Sequence, residues 1–339
     1  MDDRYSRQVL FRPIGREGQQ RLAAARVVIV GMGALGTVLA TQLVRAGVGF
    51  LRLVDRDIIE PSNLQRQTLY DEEDAELGRA KAEAAAQKLQ AANRDVQIEA
   101  VIEDLTWRNA KKWLADVDVI VDGTDNFQVR YLMNDVAVQH GIPWSYGGAV
   151  SSYGTTAFFR PLQTACLTCL FGSDGDVGGH DTCDTVGVIA PVVAIIASLQ
   201  VAEILKYLTG NLAALSNALM HVNVWDNEFR SVQLSPPKTD CPCCQLRQFQ
   251  SLAARTDGLT VSLCGRRTIQ VRPESSLQVS LEAMAERLSR LGQVRHNAHL
   301  LRCDFGDVQL TLFADGRALI HGVDDSAKAR SLYARYVGM

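Results

Sequence analysis

The hydrophobic pattern of the first half of the chain alternates short apolar runs with longer helical stretches. Continuous apolar runs of this length are typical of strands buried on both faces. Strands are predicted at Arg26–Val30, Phe50–Asp55, Val96–Val101, Val117–Val121 and Pro143–Ala149. Helices are predicted at Thr37–Ala46, Ala80–Ala92 and Asn126–Gln139. This alternation predicts an α/β fold with a doubly wound, mostly parallel sheet.

The pattern changes after the fifth predicted strand. A strand at Gly154–Phe159 leads into Leu162–Gly187, a long segment rich in glycine that contains cysteines. Loops of this length in compact domains are usually functional. A helix is predicted at Pro191–Leu208, and two strands are predicted to pair around Trp225–Glu228. The pairing predicts an antiparallel extension of the sheet.

A second, smaller unit is predicted at the end of the chain. Strands are predicted at Thr268–Arg272, Leu300–Phe305, Val308–Phe313 and Ala318–His321, and helices at Leu281–Leu291 and Ser326–Tyr336. The prediction is therefore a large domain over residues 1–247 and a small α+β domain over residues 257–339. The pattern assigns no chemistry to the small domain.

Composition excludes some classes of function. The chain has 339 residues, 47% of them hydrophobic, a formal net charge of −3 and a pI near 6.1. Proteins that bind nucleic acid or membrane surfaces are usually basic, so neither partner is expected. The N-terminus MDDRYSRQ is polar, and no apolar run reaches the roughly 18 residues of a membrane span. A cytoplasmic protein is expected.

The sequence GMGALG, residues Gly31–Gly36, follows the first predicted strand and precedes a helix. Glycines at this spacing allow a tight turn and let the backbone approach a phosphate, which the helix N-terminus then attracts. Asp55 ends the next strand, where an acid can hydrogen-bond a ribose hydroxyl. These features alone also fit a nicotinamide- or flavin-dependent oxidoreductase.

Further polar motifs favour nucleotidyl transfer from ATP. They are Arg7 in RYSRQ, the run Asn63-Leu-Gln-Arg66-Gln67, Lys81 and the pair Asp125-Asn126. Cations stabilise the charge that develops on phosphate oxygens, and an acid near the phosphates can hold Mg²⁺. Hydride transfer has no use for such a cluster. Each residue also has a structural interpretation: Lys81 as a solvated helix residue, Arg66 in a surface ion pair, and Asp125 as a helix cap.

The eight cysteines allow two arrangements of a zinc site. Cys166-x-x-Cys169 and Cys241-x-x-Cys244 are two pairs whose spacing suits a tetrahedral Cys₄ site. A local alternative combines Cys166 and Cys169 with His180 and Cys183 as a Cys₃His site. Cys243 could also compete with Cys244 as a ligand.

Taken together, the motifs RYSRQ, GMGALG, LVDRD, SNLQRQ, GTDN, CLTC, TCDTVGVIAPVVAIIASLQ and CPCC resemble the ThiF/MoeB adenylyltransferases, bacterial relatives of the ubiquitin-activating enzymes. The resemblance runs from about Arg4 to Gln245, and the tail resembles an extension of Bacillus-type members. It implies that Mg-ATP activates the C-terminal glycine of a small ubiquitin-like sulfur carrier with a Gly-Gly tail, of thiamin or molybdopterin type. A cysteine desulfurase or rhodanese-type protein is an implied sulfur donor.

The resemblance also implies roles for single residues. The implied nucleotide-binding set is Gly31, Gly33, Ala34, Gly36, Asp55, Asp57, Asn63, Arg66, Gln67, Lys81, Asp125 and Asn126. The implied catalytic set is Arg7, Arg66, Lys81, Asp125 and Cys183, with Arg7 reaching the site from the other subunit of a homodimer. The implied zinc ligands are Cys166, Cys169, Cys241 and Cys244. Cys183 is then a free thiol that could accept or relay sulfur.

Overall fold

The protein is described by a computed structural model that covers residues 3–173, 186–253, 260–262, 268–272 and 279–338. The chain divides into two compact units, residues 1–254 and 255–339. His180, Cys183 and Cys264 lie outside the described residues.

The first unit contains an eight-stranded sheet. Its strands are β1 (Arg26–Val30), β2 (Phe50–Val54), β3 (Gln97–Val101), β4 (Val119–Asp122), β5 (Trp144–Val150), β6 (Tyr153–Phe159), β7 (Ala218–Asn223) and β8 (Glu228–Gln233). Their order is β3-β2-β1-β4-β5-β6-β7-β8. The first five are parallel, and β5 to β8 pair antiparallel. The α/β class and the antiparallel extension are therefore confirmed.

Helices cover both faces of this sheet. They are α1 (Ser6–Leu10), α2 (Gly15–Ala24), α3 (Ala34–Ala46), α4 (Glu72–Leu77), α5 (Lys81–Ala92), α6 (Ala110–Leu114), α7 (Phe127–His140), α8 (Leu167–Phe171), α9 (Ala190–Leu208) and α10 (Gln250–Ala253). Successive residues of β1 point to opposite faces, so Val27 and Ile29 join a core with α3, α5 and α9. Val28 and Val30 join a second core with α6 and α7.

Helix α9 is, among the described residues, the one helix long and apolar enough to cross a membrane by length and composition. Its buried side chains, among them Val192, Val193 and Ile196, lie in the core that the sheet shares with α3. Such packing is that of a core helix, so length and composition are weak evidence for a membrane span here.

The second unit is an antiparallel sheet covered by two helices. Its strands are β9 (Thr260–Ser262), β10 (Thr268–Val271), β11 (Gln293–His296), β12 (Leu300–Asp304), β13 (Gln309–Phe313) and β14 (Ala318–His321), in the order β11-β12-β13-β14-β10-β9. Helices α11 (Leu281–Leu288) and α12 (Ser326–Tyr336) contribute Leu288 and Tyr333 to its core. Cys303 is fully buried in β12, as expected for a structural thiol.

The element bounds differ from the sequence predictions in a few places. Helix α3 begins at Ala34, three residues before the predicted start, because the last half of GMGALG forms its first turn. Helix α11 ends at Leu288 rather than Leu291. The elements that were not predicted are helices α1, α2, α4, α6, α8 and α10 and strands β9 and β11.

Candidate active site

The glycine-rich loop lies at the carboxyl ends of the neighbouring strands β1 and β4. The strand order reverses between these two strands, and open α/β sheets bind ligands at such a point. Gly31 has a φ of +89°, and a Cβ there would lie 2.7 Å from the carbonyl oxygen of Gly123. A Cβ on Gly36 would lie 1.9 Å from the carbonyl oxygen of Gly31. No side chain caps the N-terminus of α3 at Gly33. The loop therefore presents free backbone N–H groups at a helix start, as a phosphate requires.

Asp55 shapes this loop. Its Oδ2 accepts the N–H of Met32 at 2.6 Å, and its Oδ1 accepts the N–H of Asp57 at 2.7 Å. Burial raises the pKa of Asp55, while Lys81 opposes that shift. Each carboxylate oxygen keeps a further lone pair, so binding of a ribose hydroxyl remains open to it. Holding the Met32 N–H is a role that the sequence did not indicate.

Lys81 is the most deeply buried of the three cations that the motifs supplied. It begins α5, its side chain is 9% exposed, and its Nζ lies 3.3 Å from Asp57 Oδ2. Burial alone would lower the pKa of Lys81, but Asp57, Asp55 and Asp125 outweigh burial and raise it. The ammonium therefore stays protonated, and carboxylates from two separate motifs, LVDRD and GTDN, act on this one group.

The run that contains Asn63, Arg66 and Gln67 lies beside the glycine loop. Asn63 is buried, and its Oδ1 accepts the N–H of Glu60 at 3.1 Å. Arg66 is half-buried and donates from Nη1 to the Ser62 carbonyl oxygen at 2.9 Å. The buried Oε1 of Gln67 has no hydrogen-bond partner among the described residues, and Gln67 Nε2 lies 3.8 Å from where a Cβ on Gly33 would be. A buried polar atom without a partner beside the loop fits a site that awaits a ligand.

Asp125 and Asn126 lie in the loop between β4 and α7. Asn126 caps α7, because its Oδ1 accepts the N–H of Gln128 at 2.8 Å and that of Val129 at 3.4 Å. The Asp125 carboxylate is exposed. Asn126 thus has the helix-capping role that the sequence had allowed for Asp125. The Asp125 carboxylate is left exposed to solvent, and its charge is one of those that raise the pKa of Lys81.

One residue of the predicted catalytic set, Arg7, is not brought to this cluster. Arg7 lies on the exposed helix α1 and makes no hydrogen bond or ion pair with the described site residues. Cys183 is outside the described residues.

The structure adds three side chains that the motifs did not single out. The Tyr70 hydroxyl lies 2.7 Å from the carbonyl oxygen of Met32 and 3.1 Å from that of Lys81, joining the glycine loop to α5. Arg130 and Gln200 support the end of β4. Gln200 is the one polar residue within the apolar motif VVAIIASLQ that hydrogen-bonds to this strand end. The signal available in the sequence was a glutamine within a mostly apolar run.

Four cysteines form a separate cluster in the first unit. The sulfur atoms of Cys166, Cys169, Cys241 and Cys244 all lie within 4.8 Å of one another. The Cys166–Cys169, Cys166–Cys241 and Cys169–Cys244 sulfur distances are 3.8, 3.7 and 3.5 Å. In a tetrahedral site with Zn–S bonds of about 2.3 Å, neighbouring sulfurs lie about 3.8 Å apart. The four residues therefore fit a zinc ion by donor type and spacing.

Cys243 lies beside this cluster but is not one of its four mutually close sulfurs. Its Sγ accepts from Asn134 Nδ2 at 3.2 Å and lies 3.4 Å from Asp135 Oδ1. Hydrogen bonding by Cys243 lowers the pKa of Cys166 to about 4, against the effect of burial. Burial raises the pKa of Cys169 and of Cys244. Without a cation the four thiols would therefore not all ionise, whereas a bound divalent ion compensates four thiolates.

Comparison with known proteins places these motifs in one family. The ThiF family model matches residues 5–243. The chain is 44% identical, over 100% of both chains, to the sulfur carrier protein ThiS adenylyltransferase of Bacillus subtilis (strain 168). It is 39% identical to the sulfur carrier protein adenylyltransferase of Thermus thermophilus, over 71% of this chain and 90% of that protein.

A solved structure shows the same fold. The crystal structure of E. coli MccB with MccA-N7isoASN has a TM-score of 0.63 at 24% identity, and covers 72% of this chain and 75% of that one. The family model spans most of the chain, and the Bacillus relative extends the similarity through the second unit. The chain belongs to the ThiF family.

Proposed function

We propose that this protein adenylylates the C-terminal glycine carboxylate of a ubiquitin-like sulfur carrier protein, using ATP and releasing pyrophosphate. The observation that supports this most directly is the convergence of Lys81, Asp57 and Asp125 beside the Gly31–Gly36 loop. Relatives named as sulfur carrier adenylyltransferases supply the substrate class. Thiamin-type and molybdopterin-type carriers share the chemistry of the reacting tail, so the proposal covers both.

The reaction is an in-line displacement at the α-phosphate of ATP. A carboxylate oxygen of the carrier's terminal glycine forms the new P–O bond, and the bond to pyrophosphate breaks. Lys81 and Arg66 offset the charge that develops on the phosphate oxygens and on the leaving group. The N–H groups at the start of α3 bind a phosphate, and Asp55, which holds the Met32 N–H of the same loop, is the residue proposed to bind the ribose hydroxyls.

The acidic residues of the site fit a magnesium ion. Asp125 has an exposed carboxylate, and oxygen ligands are those that Mg²⁺ takes. When bound, Mg²⁺ neutralises phosphate charge and makes pyrophosphate a better leaving group. Asp125 is the residue proposed to hold it, and Asp57 is paired with Lys81.

The remaining catalytic assignments concern groups from outside this cluster. Arg7 is exposed on α1, which is consistent with reaching the ATP site of a partner subunit in a homodimer. Cys183 is proposed as the thiol that accepts or relays sulfur after adenylylation, with a cysteine desulfurase or rhodanese-type protein as donor. Zinc, held by Cys166, Cys169, Cys241 and Cys244, has a structural role because all four positions are filled by protein ligands.

The oxidoreductase alternative finds no support. Neither the family model nor the relatives named above are described as oxidoreductases. The ammonium and carboxylates around the glycine loop also give a polar site, whereas a nicotinamide ring needs an apolar one.

The decisive measurement is ATP–pyrophosphate exchange that depends on an added carrier with a Gly-Gly tail. Asp125→Asn keeps the side-chain shape and removes the charge, so exchange should fall by about 100-fold or more. Asp95→Asn, at another exposed aspartate, is the matched control and should exchange like wild type. Absence of exchange by the wild type with both carrier types would refute the proposal.

A further inference from the structure

A buried arginine that the proposed reaction does not use lies beneath the loop that contains Asp125. Arg130 is 4% exposed and belongs to the first turn of α7. Its Nε donates to Asp122 Oδ2 at 2.8 Å, and its Nη2 donates to the carbonyl oxygens of Thr124 at 2.6 Å and Gly147 at 2.8 Å. One guanidinium therefore joins the end of β4, the loop and the strand β5.

Asp122 completes the network from the other side. It is fully buried, and its Oδ1 accepts both the N–H and the hydroxyl of Thr124 at 2.8 Å. Its Oδ2 also accepts the N–H of Gly147 at 3.3 Å. Gln200 of α9 donates to the Asp122 carbonyl oxygen at 3.0 Å. The Asp122 carboxylate therefore accepts four hydrogen bonds, which come from Thr124 in the loop and from Arg130 and Gly147 beside it.

The network fixes the residues on both sides of Asp125. The Thr124 carbonyl is held by Arg130, and Asn126 is held by its capping bonds to α7. Between them, the Asp125 side chain is exposed, and it is one of the charges that raise the pKa of Arg130 against the effect of burial. The Arg130 guanidinium also lies 4.9 Å from the Phe127 ring centroid, which limits its movement.

We propose that Arg130 is a positioning residue that sets the orientation of Asp125 toward the magnesium ion of Mg-ATP, with Asp122 and Gln200 holding the arginine's partners. This inference rests on the proposed function for the identity of the ion. A lysine at position 130 would keep the charge, but a single ammonium cannot reproduce the planar fork that reaches Asp122, Thr124 and Gly147 together. The expected defect is therefore in metal response rather than in nucleotide affinity.

The test measures binding of α,β-methylene-ATP to the full-length protein by calorimetry, with and without Mg²⁺. Wild type and Arg130→Lys should bind the metal-free analogue within about twofold of each other. The Mg²⁺ concentration that gives half of the affinity gain should rise about 10- to 100-fold in Arg130→Lys, as for other residues that orient metal ligands.

Arg52→Lys is the matched control. Arg52 is also a buried arginine of the sheet, in the middle of β2, and it pairs with Glu99 of β3 and with Asp116, which precedes β4. Its replacement should lower thermal stability and leave the Mg²⁺ response as in wild type. An equal shift in Arg52→Lys would show that the effect is general loosening, and would overturn the inference.

A second variant keeps the inference testable if Arg130→Lys does not fold. Thr124→Val removes the hydroxyl that donates to Asp122 Oδ1 and preserves side-chain volume. It should shift the Mg²⁺ response in the same direction, by about threefold. A wild-type response in every folded variant of the network, or analogue binding by wild type that ignores Mg²⁺, would overturn the inference. A shifted response without carrier-dependent exchange would retain the inference and refute the adenylylation proposal.

Discussion

At the scale of single residues, the site depends on an ammonium buried among carboxylates. Burial disfavours a charged Lys81, and Asp57, Asp55 and Asp125 more than compensate, so the pKa of Lys81 is raised. A group with a raised folded-state pKa stabilises the fold fully below its unfolded pKa, and this contribution is lost as pH rises through the folded value. The charge of Lys81 should therefore persist beyond its ordinary pKa of 10.5.

A pH series tests this balance. Binding of α,β-methylene-ATP to wild type and to Lys81→Arg should change in parallel between pH 7 and about 10, because arginine stays protonated throughout that range. The measurement is calorimetric affinity at each pH, with circular dichroism to confirm the fold. A loss of affinity below pH 9 in wild type that Lys81→Arg does not show would mean that the Lys81 pKa is lowered instead.

The sequence predicted which residues belong to the site, but it did not predict the hydrogen bonds that hold them in place. Lys81 and Asp125 stand in recognisable motifs, because phosphate chemistry needs those side-chain types. The Tyr70 hydroxyl, by contrast, reaches a carbonyl 38 positions earlier in the chain. Nothing in a tyrosine after SNLQRQTL indicates that contact. The bond depends on how α5 packs against the glycine loop, which is a tertiary property.

At the scale of elements, Tyr70 couples the glycine loop to the helix that begins with Lys81. Tyr70→Phe removes only the hydroxyl between the Met32 and Lys81 carbonyl oxygens. The free energy of unfolding should fall by about 1 kcal/mol, as for one buried hydrogen bond, and the Kd for ATP should rise about three- to tenfold. Denaturant unfolding and calorimetry measure the two effects.

The second unit offers a matched control for that change. Tyr333 is also buried, and its hydroxyl donates to the Gly316 carbonyl oxygen at 2.7 Å. Tyr333→Phe should cost similar stability in its own unit and leave the Kd for ATP unchanged. If both variants weakened ATP binding equally, the hydroxyl of Tyr70 would have no specific role at the loop.

Burial explains why some elements were predicted clearly and others were missed. Strands β1 and β2 are buried almost throughout, so their apolar runs marked them clearly. Strand β11, with the sequence QVRH, lies at a sheet edge and is mostly exposed, so its pattern is polar and it was missed. Helix α2 was missed for a similar reason, since GREGQQRLAA is largely polar and buries few of its residues. Pattern analysis detects burial on a regular face, and these elements bury little.

At the scale of the whole molecule, the four-cysteine cluster brings together two segments of the first unit. Cys166 and Cys169 follow β6 at the start of α8, and Cys241 and Cys244 follow β8 near the end of the unit. A bound zinc ion would therefore join two segments far apart in sequence. Spacing alone left the ligand set open, because distance along the chain does not reveal which sulfurs meet in the fold.

Metal analysis of single variants distinguishes the possible zinc sites. Wild type should contain about one zinc ion per chain, and Cys241→Ala should lose it because a structural site needs all four ligands. Cys243→Ala should retain zinc, since Cys243 is not one of the four mutually close sulfurs and its Sγ contacts Asn134 and Asp135. Cys183→Ala should also retain zinc and adenylylation while losing sulfur transfer. The free energy of unfolding of Cys241→Ala should fall by several kcal/mol, about that of a lost metal crosslink, because metal binding is coupled to folding. Zinc lost from Cys183→Ala, with zinc retained by Cys241→Ala, would instead place the ion in the local site with His180.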